Sequence, residues 1–268
     1  MRRLCLLALA LLWAAPALAQ QADIPTTVGP LPPTDHLADK FYDPAAMAAA
    51  RRVLAEEHGG SIRSKVMADL FEYQARSGSD GYRWAGEGWY GGDIDRFVAK
   101  TEGEGDVRHG LERAEIQALY SRAVGPYFDL QAGVRQDLKP GGRTYLTVGT
   151  EGLLPYWFRV SGAAFVSTRG EVLGRLEGTY DLRMTQRLIL QPRVELNLSA
   201  QNTRETRTGA GLSDAELGLR LRYEIRREFA PYVGVSFERS LGRTADYARA
   251  AGERVSGVSF VAGVRAWF

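Results

Sequence analysis

Only one cysteine and three histidines occur in the 268 residues of this chain. The cysteine, Cys5, sits in an amino-terminal segment with the marks of a cleaved leader, so the chain beyond it has no disulfide framework, cysteine metal centre or thiolate nucleophile. Long apolar runs are missing too. Beyond residue 19 no apolar stretch reaches the roughly 18 residues of a membrane-spanning helix, so crossing a bilayer would require a closed barrel. Nor does one charge dominate. The 34 basic residues oppose 32 acidic ones, and losing Arg2 and Arg3 with the leader makes the balance even. A neutral chain gives no electrostatic case for nucleic acid.

The leader itself is legible. Arg2 and Arg3 precede an apolar run from Leu4 to Ala15, and Ala17-Leu18-Ala19 supplies a small-residue cleavage pattern, which predicts a signal peptide over 1–19 and a mature chain starting at Gln20. At the other end, Val258, Phe260, Ala262, Val264, Ala266 and Phe268 alternate with Ser259, Gly263 and Arg265. An alternating strand closing on an aromatic residue is the expected terminus of an outer-membrane β-barrel.

From about residue 64 onward the sequence breaks into segments of about 10 residues with a period of two, separated by Gly, Asp, Pro and Ser clusters. There are about 12 of them, an even number as a single-chain bacterial barrel requires. The expectation is an all-β protein: a closed antiparallel outer-membrane barrel over 64–268, preceded by a linker and short helix over 20–63. Within the linker, Pro25, Pro30, Pro32 and Pro33 favour an extended chain. Asp43-Pro44 then provides a cap and a first-turn proline for a helix over Ala45 to Glu57, stopped by Gly59-Gly60.

Alternation also assigns the two faces. Leu188, Leu190, Val194, Leu196 and Leu198 alternate with Gln191, Arg193, Glu195, Asn197 and Ser199, while Leu217, Leu219, Leu221 and Tyr223 alternate with Glu216, Arg220, Arg222 and Glu224. A barrel of about 12 strands is too wide for small side chains to fill, so long charged ones are expected to cross it. Glu87, Arg113, Glu115, Arg193, Glu195, Arg220, Arg222 and Glu224 are the core of this expected lumen network, with Lys100, Glu102, Arg135, Glu151, Arg175 and Glu177 as further members. Tyr82, Trp84, Tyr90, Tyr120, Tyr156, Tyr180 and Tyr223 sit near segment ends, where interfacial girdles form. Short turns near Arg183–Gln186 and Arg226–Ala230 and long loops over Gln201–Ser213 and Ser240–Ser256 place the long connections on the outer side.

Five stretches carry a family resemblance. Asp35-His36-Leu37-Ala38-Asp39-Lys40-Phe41-Tyr42-Asp43-Pro44-Ala45-Ala46-Met47, Lys65-Val66-Met67-Ala68-Asp69-Leu70-Phe71-Glu72-Tyr73-Gln74 and Gly81-Tyr82-Arg83-Trp84-Ala85-Gly86-Glu87-Gly88-Trp89-Tyr90-Gly91-Gly92-Asp93 are the first three, and similarity continues through Leu111 to Arg122 and Tyr127 to Arg135. Together they resemble the copper resistance protein B family of outer-membrane proteins. The resemblance implies a role in copper homeostasis, with copper ions as the species bound or passed, outer-membrane lipid around the barrel and a periplasmic copper protein as partner.

One departure matters. Members of that family often carry a Met- and His-rich segment before the barrel, whose soft thioethers and imidazoles suit copper. Here Gln20 to Pro33 contains neither residue, and beyond the leader there are only His36, His58, His109, Met47, Met67 and Met184. Copper contact is therefore expected to be sparse, with His36 and Met67 as the candidate ligands. Each has a plainer alternative, an exposed or capping histidine and a strand methionine whose facing the irregular local alternation leaves open. His58 suits a helix carboxyl end, and His109 is a loop residue. No ligand spacing here amounts to a metal motif. A general small-solute channel or structural barrel is the rival reading. An outer-membrane hydrolase would need a serine beside His109, for which Ser77 and Ser79 offer no supporting pattern.

Overall fold

The structure, a computed structural model, describes residues 37–58 and 61–268. The expected signal peptide, most of the linker and His36 lie outside the described residues. The chain divides into two compact units, one ending at Gly59 and one beginning at Gly60.

In the first unit a 3₁₀ turn, Leu37–Lys40, precedes α1, Pro44–His58. Pro44 suits the first helical turn because it has no N–H to leave unpaired. Asp43 caps the helix, its Oδ2 accepting from the Ala46 N–H at 2.9 Å. The Arg51 guanidinium donates to both carboxylate oxygens of Asp39 at 2.7 and 3.0 Å, tying the helix back to the 3₁₀ turn.

Twelve antiparallel strands form the second unit. They are β1 (Arg63–Arg76), β2 (Gly81–Gly91), β3 (Asp95–Asp106), β4 (Gly110–Ala123), β5 (Phe128–Lys139), β6 (Arg143–Leu154), β7 (Phe158–Ser167), β8 (Val172–Thr179, resuming at Leu182–Arg183), β9 (Leu188–Ser199), β10 (Gly211–Tyr223), β11 (Phe229–Ser240) and β12 (Ser256–Trp267). Each pairs with its chain neighbour, and β12 returns to β1 with Trp267 opposite Met67 and Ser259 opposite Arg76. The barrel is closed. Phe268 and Val66 complete the seam by exchanging backbone hydrogen bonds at 2.9 and 3.0 Å.

Two irregularities have local causes. β8 is interrupted where Tyr180 meets Pro192, a residue with no N–H for the ladder; Tyr180 still donates its own N–H to the Pro192 carbonyl at 3.2 Å. In β1 the register shifts between Ala68 and Leu70 against β2, a bulge that changes the phase of the strand. Met67 before the bulge and Asp69 within it line the interior, as do the buried Leu70, Glu72 and Gln74 beyond it.

Facing follows the alternation. On β10, Leu217, Leu219, Leu221 and Tyr223 are exposed on the outside while Glu216, Arg220 and Arg222 are buried inside. On β12, Val258 and Phe260 face outward and Ser259 and Val261 inward. The outer face is the apolar band a lipid-embedded barrel needs. Among the described residues no helix is long and apolar enough to cross a membrane. Ring stacking reinforces the aromatic belts, Phe158 on Tyr180 at 4.5 Å and Tyr82 on Trp84 at 6.2 Å.

The five connections at the end of the barrel that carries Phe268 have three to five residues, whereas both long loops, 200–210 and 241–255, lie at the opposite end. Outer-membrane barrels keep short turns on the periplasmic side, which makes the Phe268 end periplasmic. One of the two long loops expected from sequence carries a helix that the alternation did not signal. This helix, α2 (Gly242–Ala250), buries its own Ala245 and Ala248. The neighbouring loop braces it, the Gly209 N–H donating to Thr244 Oγ1 at 2.9 Å where a Cβ on residue 209 would collide with Arg243.

Candidate functional site

Long side chains from opposite walls meet in the lumen and divide it. Arg83 on β2 reaches across to β9 and β10, donating to Glu195 at 2.9 Å and pairing with Glu216. From β8, Arg175 reaches Glu102 on β3 at 2.9 Å and Glu115 on β4 at 2.9 and 3.0 Å. Arg135 closes on the same Glu115 at 2.7 Å and on Asp137 at 2.6 Å, with its guanidinium 4.6 Å from the Phe165 ring centre. Arg193 joins Glu177 at 3.0 Å and Glu195 at 3.1 Å. These pairs form a septum of fixed charges in which each arginine meets a carboxylate. Buried charges persist only when so paired.

Arg220 and Glu72 make the most enclosed of these contacts. The guanidinium donates to both carboxylate oxygens at 2.9 and 3.0 Å, and the Tyr232 hydroxyl donates to the same carboxylate at 3.0 Å. The two side chains are 2% and 0% exposed. Parallel double hydrogen bonds of this kind are what the planar guanidinium geometry favours.

Several spaces open around the septum. An outer vestibule of about 580 Å³ is lined by Arg76, Asp106, His109, Asp214 and Glu238 among others, and a chamber of about 100 Å³ lies on the periplasmic side of the septum, lined by Met67, Asp69, Glu87, Lys100, Glu151 and Arg159. A third, of about 310 Å³, opens at the periplasmic mouth between Lys65, Arg183, Arg222, Arg227 and Arg265.

The residues singled out from sequence fall at different depths. Glu115, Arg193 and Glu195 are in the septum, and Glu87 lies in the inner chamber 3.5 Å from Lys100, which also meets Glu151 at 2.8 Å. Arg113 pairs with Glu104 at the outer mouth, where its side chain is 60% exposed. Arg222 and Glu224 belong to the periplasmic mouth, 3.8 Å apart, and the shorter contact of Arg222 is with Asp181 at 2.9 Å. The main partner of Arg220 is Glu72, which the sequence reading did not single out because the β1 bulge hides its facing. Arg83 was missed as well, although it shares strand parity with Glu87, a signal sufficient to place it inside.

Met67 faces the interior. Its Sδ accepts from Arg265 Nη2 at 3.4 Å, and Asp69 pairs with the same arginine at 2.8 Å. Among the described residues no group of three histidine, cysteine or carboxylate side chains is placed to hold a metal ion. The His109 ring meets Asp106 at 3.0 Å in the outer loop, and among the described residues no serine hydroxyl is bonded to it.

Comparison with known proteins completes the picture. The chain is 47% identical over 212 residues to Copper resistance protein B of Escherichia coli, covering 79% of this chain and 71% of that protein. It is 45% identical over 212 residues to a Copper resistance protein B homolog of Pseudomonas syringae pv. tomato, covering 79% and 72%. Among solved structures, the KdgM porin aligns with a TM-score of 0.46 at 11% identity, over 75% of this chain and 98% of the porin. The NanC porin aligns with a TM-score of 0.49 at 14% identity, over the same shares. The profile of the family described as Copper resistance protein B precursor (CopB) matches residues 62–268, the whole of the barrel, so the chain belongs to the copper resistance protein B family and is an outer-membrane barrel.

Proposed function

We propose that this barrel handles copper ions at the outer membrane, contacting them in passing within the lumen rather than storing them, and that it is not an enzyme. Family membership carries the reading. The lumen supports it in one respect. Met67 supplies a single thioether to a chamber that also holds Asp69, Glu87 and Glu151, a mix of one soft and several hard donors. With Arg265 donating to the sulfur, that set suits a brief contact better than a resident ion. Copper here is a substrate.

The test is a deletion strain scored for copper tolerance and periplasmic copper content, with zinc and a small sugar as controls. Loss of copper tolerance without a zinc or sugar effect is the expected result; no copper phenotype would favour a general channel or structural barrel. Complementation with Met67→Leu, which conserves volume, should restore the barrel to the membrane while recovering only part of the tolerance. A parallel His36→Ala strain tests the other candidate ligand. If both variants complement fully, the metal path runs along the lumen carboxylates instead.

A further inference from the structure

The periplasmic mouth departs from the pairing rule that governs the septum. Lys65, Arg183, Arg222, Arg227 and Arg265 line its vestibule, against only Asp181 and Glu224. The vestibule continues into an open groove between the β8–β9 and β10–β11 turns, where Arg187 and Arg226 add two more cations and no further carboxylate. Asp69, deeper in the barrel, offsets Arg265. Glu224 meets Arg183 at 3.6 Å and Arg222 at 3.8 Å, and what remains of the excess has no carboxylate partner. Among the described residues, Arg187, Arg226 and Arg227 make no ion pair, and Lys65 lies 4.9 Å over the Trp267 ring rather than beside a carboxylate.

A second observation is independent of this excess. Arg222 is 3% exposed and lines the vestibule, its Nη2 is held by Asp181 at 2.9 Å, and its Nη1 has no acceptor. Arg193 and Arg220 in mid-lumen also leave a guanidinium donor unpaired, and what sets Arg222 apart is that it lines a cavity open at the periplasmic mouth. The cavity beside it, about 310 Å³, has room for a small oxyanion. Trp267 frames one side, fixed by its Nε1–H donating to the Arg227 carbonyl at 2.7 Å. Guanidinium groups bind tetrahedral and planar oxyanions through paired N–H donors, and several of them around one cavity raise the local concentration of multivalent anions.

We propose that the periplasmic vestibule is a binding site for a phosphate-type oxyanion, held by Arg222 and Arg227 with Arg183 and Lys65 around it. The site is distinct from any copper contact at Met67 and does not depend on the copper reading. Its ligand is either free phosphate or the phosphate of a lipid headgroup in the periplasmic leaflet.

The full chain, held in phosphate-free maltoside detergent micelles, is titrated with inorganic phosphate at constant ionic strength, with chloride as the control, and heat is measured. Saturable phosphate binding is expected, weakened about tenfold or more by Arg183→Gln combined with Arg227→Gln, two rim substitutions in or beside exposed turns that spare the septum. Arg222→Gln reports on the buried donor, and Arg169→Gln in an outer loop is the control that should change nothing. Nanodiscs containing phosphatidylglycerol separate the two sources. If the headgroup occupies the site, free phosphate binds more weakly there than in the phosphate-free micelles; if free phosphate is the ligand, its affinity is unchanged. Absence of saturable phosphate binding in the phosphate-free micelles, or binding that survives the double substitution in a correctly folded barrel, overturns the proposal.

Discussion

Arg220 and Arg227 lie on one stretch of chain, the first on β10 and the second in the turn that follows it. Arg220 is clasped by both oxygens of Glu72, and Tyr232 and Glu216 stand nearby. Arg227 makes no ion pair among the described residues and faces an open cavity. The same side chain thus serves two ends. In mid-lumen it fills space and links walls, and its charge is consumed by its partner. At the mouth its charge is left for solvent or for a ligand, and little of the fold depends on it.

Removing a mid-lumen partner is the severest test of that difference. Glu72→Ala leaves Arg220 almost wholly buried with only Glu216, 3.7 Å away, and takes the acceptor from Tyr232. The expected loss is about 3–5 kcal/mol, the usual cost of breaking a buried pair on one side. Arg227→Ala at the mouth should cost less than about 1 kcal/mol, as for exposed charges. Chemical denaturation of the refolded barrel in detergent compares the two, and similar losses would erase the distinction between structural and available arginines.

Arg83→Ala probes the septum with a smaller energetic effect and a larger functional one. Glu195 keeps Arg193 and Asn197, and Glu216 keeps Ser236, so neither carboxylate is stranded and the cost should be about 1–3 kcal/mol. What disappears is the one side chain bridging β2 to β9 and β10. Single-channel recordings in planar bilayers should show a conductance several times that of the parent. An unchanged conductance would mean that Arg175 and its partners alone block the lumen.

Much of this was legible in the sequence because the barrel separates lipid from charge with a period of two. Where alternation was clean, as on β9 and β10, the faces of Arg193, Glu195, Arg220 and Arg222 could be read directly. Where a bulge slips the phase, they could not. The step at Ala68–Leu70 left the facing of Met67 open and concealed Glu72, the acceptor for Arg220. The cross-lumen partners were hidden for another reason. Which arginine meets which carboxylate depends on barrel width and strand stagger, so Arg83 reaching Glu195, 112 positions away in sequence, has no local signature. α2 escaped because its loop is rich in small residues whose helical preference competes with no alternation signal; Ala245 and Ala248, three apart, were the available hint.

The smallest expected effect lies in the outer loops, where a pair resembles those of the septum in chemistry but not in setting. Arg207, in the loop between β9 and β10, meets Glu253, in the loop that carries α2, and both side chains are 54% exposed. Water competes for both charges, salt screens them, and two long side chains must be ordered to keep the contact. A double-mutant cycle with Arg207→Ala and Glu253→Ala should therefore give a coupling below about 1 kcal/mol that shrinks as salt is added. The same cycle on Arg220 and Glu72 should give several times more and respond little to salt, because their enclosure excludes the screening ions. A strong, salt-insensitive coupling at Arg207 and Glu253 would show that the loops, as well as the septum, form a dry and rigid part of the barrel.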